Sequence, residues 1–277
     1  MHNRDRPEPT ELTELTDFWL ARPRPRPSAP IKLLCLHHAG GNPSNFRPWL
    51  DALPDDVELL AVRLAGREAR MREAPATRMA DIVEPLAQAL APLIEASQPS
   101  SGRPAGVIVF GHSLGALIGF EVVAALQAKG SPLPAALVVS GRSAPAPHAR
   151  TLALHTLPDQ AFIDEVQRIY GGIPPQILAE PELLALTLPV LRADLEVNET
   201  YSYSPRPALS LPLYALGGRD DPHVTRPQLE AWSAHTTGAF TSAQCEGGHF
   251  YLGTPAGRRW VIEELLDIAR TQIRSRS

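Results

Sequence analysis

The 277 residues carry a formal charge of −4, with 44% hydrophobic and 20% charged residues, an ordinary composition for a globular chain able to bury a large core. The slight acidic excess argues against a nucleic-acid binder, and no apolar run approaches the ~20 residues of a membrane span. Two cysteines, Cys35 and Cys245, cannot make a disulfide framework or a four-cysteine zinc site, and the charged start MHNRDRPEPTELTEL has no secretory apolar segment, so a cytoplasmic location is expected.

Residues 1–30 read as a lead-in, in which Phe18, Trp19 and Leu20 could anchor to the body and RPRPRPSAP (22–30) is expected to be an extended, solvated spacer. A first core segment, 31–150, opens with a strand at IKLLCLHH (31–38) that runs into Gly40-Gly41, followed by a strand at VELLAVRL (57–64). Met79, Ile82, Val83, Leu86, Leu90 and Leu93 recur at helical spacing across 78–96. VIVFGHSLGALIG (107–119) is a buried strand, a glycine-flanked turn and a helix start, and AALVVSG (135–141) is another strand. Residues 151–205 read as a helical insertion over the site, a lid. One amphipathic helix there carries Phe162, Ile163, Val166, Ile169 and Tyr170, with Asp159 as its cap; another, from Leu183 to Leu195, is expected to bend at Pro189. The second core segment, 206–277, holds a strand at LPLYALGG (211–218) and a helix from about 258. Strands alternating with helices predict an α/β fold, a mostly parallel sheet covered on both sides, with chemistry beyond the carboxyl ends of the strands.

Gly111-His112-Ser113-Leu114-Gly115 supplies that chemistry's first candidate. A serine at a sharp strand-to-helix turn presents its hydroxyl as a nucleophile, and glycines two residues away on either side leave room for the turn. The hydroxyl needs a base and an oxyanion hole, and in this arrangement the acid and then the histidine follow the serine along the chain. After the 211–218 strand stand Asp220 and Asp221; a Gly-x-x-Asp-x-x-Val pattern through Gly218 and Val224 favours Asp221, with Asp220 as the alternative. His249, in CEGGHFYL, is the candidate base, whereas His235 beside Trp232 is expected at the surface. The backbone N–H of Leu114 and one from HHAGGNPSNF, assigned to Ala39, would form the oxyanion hole. Adjacent His37 and His38 would point to opposite faces of a strand and have no evident third ligand, so no metal is expected.

Together, CLHHAGGNPSNFRPW, VRLAGREARMREAP, FGHSLGALIGFEVVAAL, the stretch from LPDQAFIDEV to NETYSY, LGGRDDPHV and GGHFYL resemble the α/β-hydrolase fold. More closely, they resemble the type II thioesterases that accompany polyketide and nonribosomal peptide synthetases, over nearly the whole chain from about Trp19. The resemblance implies Ser113, Asp221 and His249 as the triad, Ala39 and Leu114 as the hole, and no cofactor. It implies hydrolysis of acyl groups from the phosphopantetheine arms of carrier proteins, which the insertion would admit. A monomer is the default, with neither nucleic acid nor membrane as partner. His37-His38 and Ala65 depart from that family's usual residues, the former beside the oxyanion loop. A carboxylesterase or acyltransferase on the same fold, and a non-catalytic interaction protein, are the rival readings.

Overall fold

The computed structural model describes residues 16–99, 105–147 and 153–274. Seven strands form one sheet: β1 (Leu20–Ala21), β2 (Ile31–Leu36), β3 (Val57–Val62), β4 (Gly106–His112), β5 (Ala136–Ser140), β6 (Leu213–Gly218) and β7 (Phe240–Cys245). Their order is β1-β3-β2-β4-β5-β6-β7, and every neighbouring pair is parallel except the short β1, which runs antiparallel to β3. The helices are α1 (Met79–Ala96), α2 (Leu114–Ala128), α3 (Asp159–Tyr170), α4 (Pro175–Ala179), α5 (Pro181–Thr200), α6 (Arg226–Glu230) and α7 (Pro255–Arg274). The fold is thus the mostly parallel α/β architecture that the alternation implies.

The period-two pleat sorts each buried strand between two layers. Ile31, Leu33 and Cys35 of β2 face one, with α7 and the turn Pro43–Trp49; Leu34 and Leu36 face the other, with α1 and α2. From β2 the chain crosses to β3 on one side, and from β3 it returns through α1 to β4 on the other side of β2. The crevice between the carboxyl ends of β2 and β4 is therefore the topological switch point, where open α/β sheets bind ligands.

Several local expectations change. β2 stops at Leu36, so His37 and His38 lie in the following loop rather than on opposite faces of a strand. β7, short of aliphatic residues and only half-buried, had no strand signature in the sequence. Trp19 does anchor the lead-in, and Arg24 is exposed as expected, but Arg22 and Arg26 are half-buried. Arg26 Nη1 donates to the carbonyls of Pro54 (2.6 Å) and Val57 (3.0 Å), and Arg22 and Lys32 converge on the buried Glu58 carboxylate. Prolines lack N–H donors, and these cationic side chains supply the bonds that the lead-in's backbone cannot. Asp159 does not cap α3: it is that helix's first residue, and its carboxylate pairs with Arg192 at 2.7 Å. α5 runs on through Pro189; its carboxyl-terminal half is buried, while Leu183 and Leu186 near its start are 44% and 65% exposed. Among the described residues no helix is long and apolar enough to cross a membrane.

Candidate active site

Ser113 joins β4 to α2 with φ 55° and ψ −113°, a conformation that costs roughly 1–3 kcal/mol for a residue with a side chain. The surroundings enforce it. Its N–H donates to the Ser140 carbonyl at 2.8 Å, tying the elbow to β5. A Cβ at Gly111 would lie 2.2 Å from the Gly115 carbonyl oxygen, and one at Gly115 would lie 2.3 Å from that of Leu36. Only glycine at both places lets α2 start this close to β2 and β4.

Asp221 stands just beyond β6 and is 6% exposed. Its Oδ1 accepts the His223 amide and its Oδ2 accepts from His249 Nδ1, each at 2.8 Å. Burial works to raise its pKa, but the hydrogen bond and charge of His249, with the His223 amide, hold it below the usual carboxylate range. A carboxylate only accepts, so Nδ1 carries the proton and leaves Nε2 as an acceptor. Ser113 Oγ lies 3.2 Å from that nitrogen, so its hydroxyl donates there. The structure thus brings Ser113, His249 and Asp221 into one hydrogen-bonded chain. Asp220 points elsewhere: it is exposed, and its carboxylate accepts the Gly247 amide at 3.1 Å, fastening the loop that carries His249.

Ala39 and Leu114 border the same cavity as Ser113 and His249, of about 140 Å³. Leu114 is the first residue of α2, so its N–H has no intrahelical acceptor, and among the described residues neither amide donates to a protein acceptor. Tyr170, Leu191 and Leu195 give the cavity an apolar side; Arg142 and Asn198 give it a polar one, with Arg142 Nη1 donating to Asn198 Oδ1. Burial pushes the Arg142 guanidinium below its usual pKa. Tyr170, Leu191 and Leu195 lie on the apolar faces expected of the insertion's helices, whereas sequence reasoning missed Arg142, Asn198 and His223 as wall residues. Arg142 had a usable signal, since it lies just beyond a parallel strand's carboxyl end; Asn198 comes from the insertion and had none.

His38 Nδ1 donates to the Ala39 carbonyl at 2.8 Å and His37 Nδ1 to the His38 carbonyl at 2.9 Å. Among the described residues no three His, Cys, Asp or Glu side chains are grouped as metal ligands would be. Burial, with nearby positive charge, lowers the pKa of His37, His38 and His112. His235 is buried, not superficial: it packs edge-on against Phe120 and Tyr203 beneath Trp232. A second serine–histidine pair lies under the site, with Ser140 Oγ hydrogen-bonded to His112 Nδ1 (2.8 Å) and to the Tyr251 hydroxyl (2.6 Å). Ser140 is fully buried, borders none of the cavities described and has no carboxylate behind its histidine, so the pair braces β4 against β5.

Against this geometry stand the comparisons with known proteins. Residues 31–269 match the family model described as "Thioesterase domain". The chain is 35% identical over 234 residues to the gramicidin S biosynthesis protein GrsT of Aneurinibacillus migulanus, covering 84% of this chain and 88% of that one. It is 37% identical over 235 residues to the thioesterase PikA5 of Streptomyces venezuelae, covering 85% and 80%. Its structure resembles that of the type II thioesterase BorB from the borrelidin biosynthetic cluster, with a TM-score of 0.76 at 35% identity over 91% of this chain and 97% of that one.

Proposed function

Because the chain belongs to the thioesterase family, we propose that it hydrolyses stalled or aberrant acyl groups from the phosphopantetheine arms of carrier proteins in polyketide or nonribosomal peptide synthesis. The observation that carries this reading is the hydrogen-bonded chain Asp221–His249–Ser113, open to a cavity at the switch point.

Ser113 Oγ attacks the thioester carbonyl while His249 Nε2 takes its proton. The amides of Ala39 and Leu114 hold the oxyanion. The C–S bond breaks, His249 returns the proton to the departing thiol, and the acyl group remains as an ester on Ser113. Water then gives a proton to His249 and attacks the ester, and Ser113 regains its hydrogen as the acid leaves. Asp221 keeps the imidazole in its working tautomer and stabilises the imidazolium.

Two cavities support a carrier-borne substrate. The first, about 140 Å³, suits a short acyl group. A second, about 480 Å³, shares His38, Ala39, Gly172, Leu191 and Phe250 with it and combines the amide side chains of Asn42, Asn45 and Gln167 with Leu184 and Leu188. Amides beside aliphatic carbons are what a pantetheine arm presents. The insertion, 151–205, acts as the lid over both. Apolar pockets distinguish neighbouring chain lengths by only ~1–3 kcal/mol per methylene, so an editing enzyme of this build hydrolyses short acyl chains broadly. Binding of the remote arm orients the thioester and raises kcat as well as affinity. The test presents one acyl group on a carrier protein, on coenzyme A and on N-acetylcysteamine. Efficiency is expected to fall in that order; equal efficiency on all three would falsify carrier editing and favour a general esterase.

A further inference from the structure

We propose that Arg67 and Asp194 are positioning residues for the oxyanion loop, so that the inserted helix α5 takes part in building the oxyanion hole. The inference rests on the reading of Ser113 and the Ala39 and Leu114 amides given above.

Asp194 lies in the carboxyl-terminal half of α5 at 1% exposure, and Arg67, in the loop after β3, at 7%. Burying a carboxylate and a guanidinium costs several kcal/mol per ion unless geometry is good and the remaining bonding sites are filled. Here they are filled, and the destinations of the spare bonds matter. Arg67 grips Asp194 in a two-pronged pair, Nη1 to Oδ2 at 2.9 Å and Nη2 to Oδ1 at 2.7 Å. Asp194 Oδ2 also accepts the Gly40 amide at 2.7 Å, and Arg67 Nη1 also donates to the Gly41 carbonyl at 2.9 Å. Both bonds go to the residues that follow Ala39. A merely structural pair could spend them anywhere.

The loop needs this hold. Residues 38–41 form a tight turn, closed by the Gly41 amide on the His38 carbonyl at 3.0 Å, with Gly40 at φ +72°. A positive φ at the third position is the type II turn, which differs from type I by a flip of the central peptide. That peptide joins Ala39 to Gly40. Asp194 holds its N–H on one side, and the His38 ring holds its carbonyl on the other. In the flipped turn the Ala39 carbonyl would face the Asp194 carboxylate, so the pair selects one of two orientations beside the nucleophile. It also fixes the carboxyl-terminal half of α5 to the sheet, confining any opening of the insertion to α3, α4 and the start of α5.

The experiment compares the double variant Arg67→Met/Asp194→Leu with the intact protein, because replacing a buried ion pair by apolar residues of similar size tends to preserve stability. Arg67→Lys and Asp194→Asn are read alongside in case the double variant fails to fold. Turnover is measured on acetyl-N-acetylcysteamine. Binding is measured for two thioether analogues, a trifluoromethyl ketone that forms a tetrahedral adduct with a serine and the matching methyl ketone that does not. The expected result is a melting temperature close to that of the intact protein, an unchanged KM and a kcat about 10- to 100-fold lower, part of the loss from removing one oxyanion donor. Trifluoromethyl ketone affinity should fall by the same factor and methyl ketone affinity should stay put. Full kcat in folded variants, or equal weakening of both ketones, overturns the proposal. Ser113→Ala separates the two levels of inference: if it keeps turnover, the underlying reading of the site fails; if it is inactive while the clamp variants run at full rate, only the clamp fails.

Discussion

Ser113 and Ala39 stand beyond the ends of neighbouring parallel strands, β4 and β2, yet the turns that carry them are held by different means. The elbow is held by closely packed backbone, its own and that of the neighbouring strands. Its strained serine is enforced by backbone that passes too close for any side chain at Gly111 or Gly115. The oxyanion loop is held from outside, by an arginine after β3 and an aspartate from α5. The loop carrying His249 follows the second pattern, fastened through the Gly247 amide by Asp220. A turn locked by close backbone needs no side-chain clamp, whereas a turn with two accessible orientations takes its geometry from distant side chains.

The largest expected effect tests whether a side chain that only holds a loop can be told from one that works in the chain of proton transfer. Asp221→Asn leaves the shape of the site intact but removes the acceptor that fixes the His249 tautomer, and kcat should fall by about 10⁴. Asp220→Asn keeps an oxygen for the Gly247 amide and is expected to cost less than about tenfold, in line with a surface hydrogen bond of ~1 kcal/mol. Steady-state kinetics on one acyl thioester decide it. If the Asp220 variant is the crippled one, the acid has been misassigned.

The same contrast explains what could be read from the sequence. The elbow's requirements are local, a buried strand, glycines two residues either side of a serine and a helical repeat, so they were legible in thirteen residues, 107 to 119. Asp221 and His249 were legible as candidate acid and base because chain order and strand ends constrain them; Asp221 over Asp220 came from the Gly-x-x-Asp-x-x-Val pattern through Gly218 and Val224. The clamp was not legible. Its bonds join residues 127 and 154 positions apart, and neither Arg67 in a turn nor Asp194 in an amphipathic helix differs in sequence from a solvated charge. His235 failed for a related reason: a polar residue in a short helical stretch looks superficial until Phe120, Tyr203 and Trp232 close over it. Arg26 was misjudged because the carbonyls that receive it belong to residues 54 and 57.

An intermediate effect sharpens the claim that the elbow is locked by close backbone. Gly115 and Gly119 sit one turn apart on α2. A Cβ at Gly115 would meet the Leu36 carbonyl at 2.3 Å, whereas one at Gly119 would meet only side-chain methyls, at 3.4 Å or more. Backbone pressed on backbone cannot relax cheaply, so Gly115→Ala should lose about 3 kcal/mol or more, at the upper end of overpacking costs. Gly119→Ala should be neutral or stabilise by up to about 1 kcal/mol through helix propensity. Thermal melting of the two variants gives the comparison directly. A Gly115→Ala protein as stable as the parent would mean that the elbow is not sterically locked.

The smallest effect asks whether both turns respond to pH. His112 belongs to the elbow and His37 and His38 to the oxyanion loop, and burial lowers the pKa of all three. The Arg67 guanidinium lowers His37 and His38 further, and the Asp194 carboxylate opposes this at His38. In the folded chain they stay neutral where the unfolded chain begins to bind protons, near pH 6.5. The unfolded state then holds more protons, so stability is full above that pH and is lost as pH falls through it. Between pH 7.5 and 6.0 a histidine kept fully neutral by the fold would cost at most about 0.8 kcal/mol of stability, so the melting temperature should fall across that window. The lowered Asp221 acts only below about pH 4, outside this window. His112→Asn should flatten part of the melting-temperature profile, and His38→Gln a smaller part, since burial lowers His112 further than His38. A flat profile in the intact protein would mean that the buried imidazoles take up protons as readily as in the unfolded chain. A profile flattened only by His112→Asn would confine the buried neutral charge state to the elbow and leave the oxyanion loop open to solvent protons.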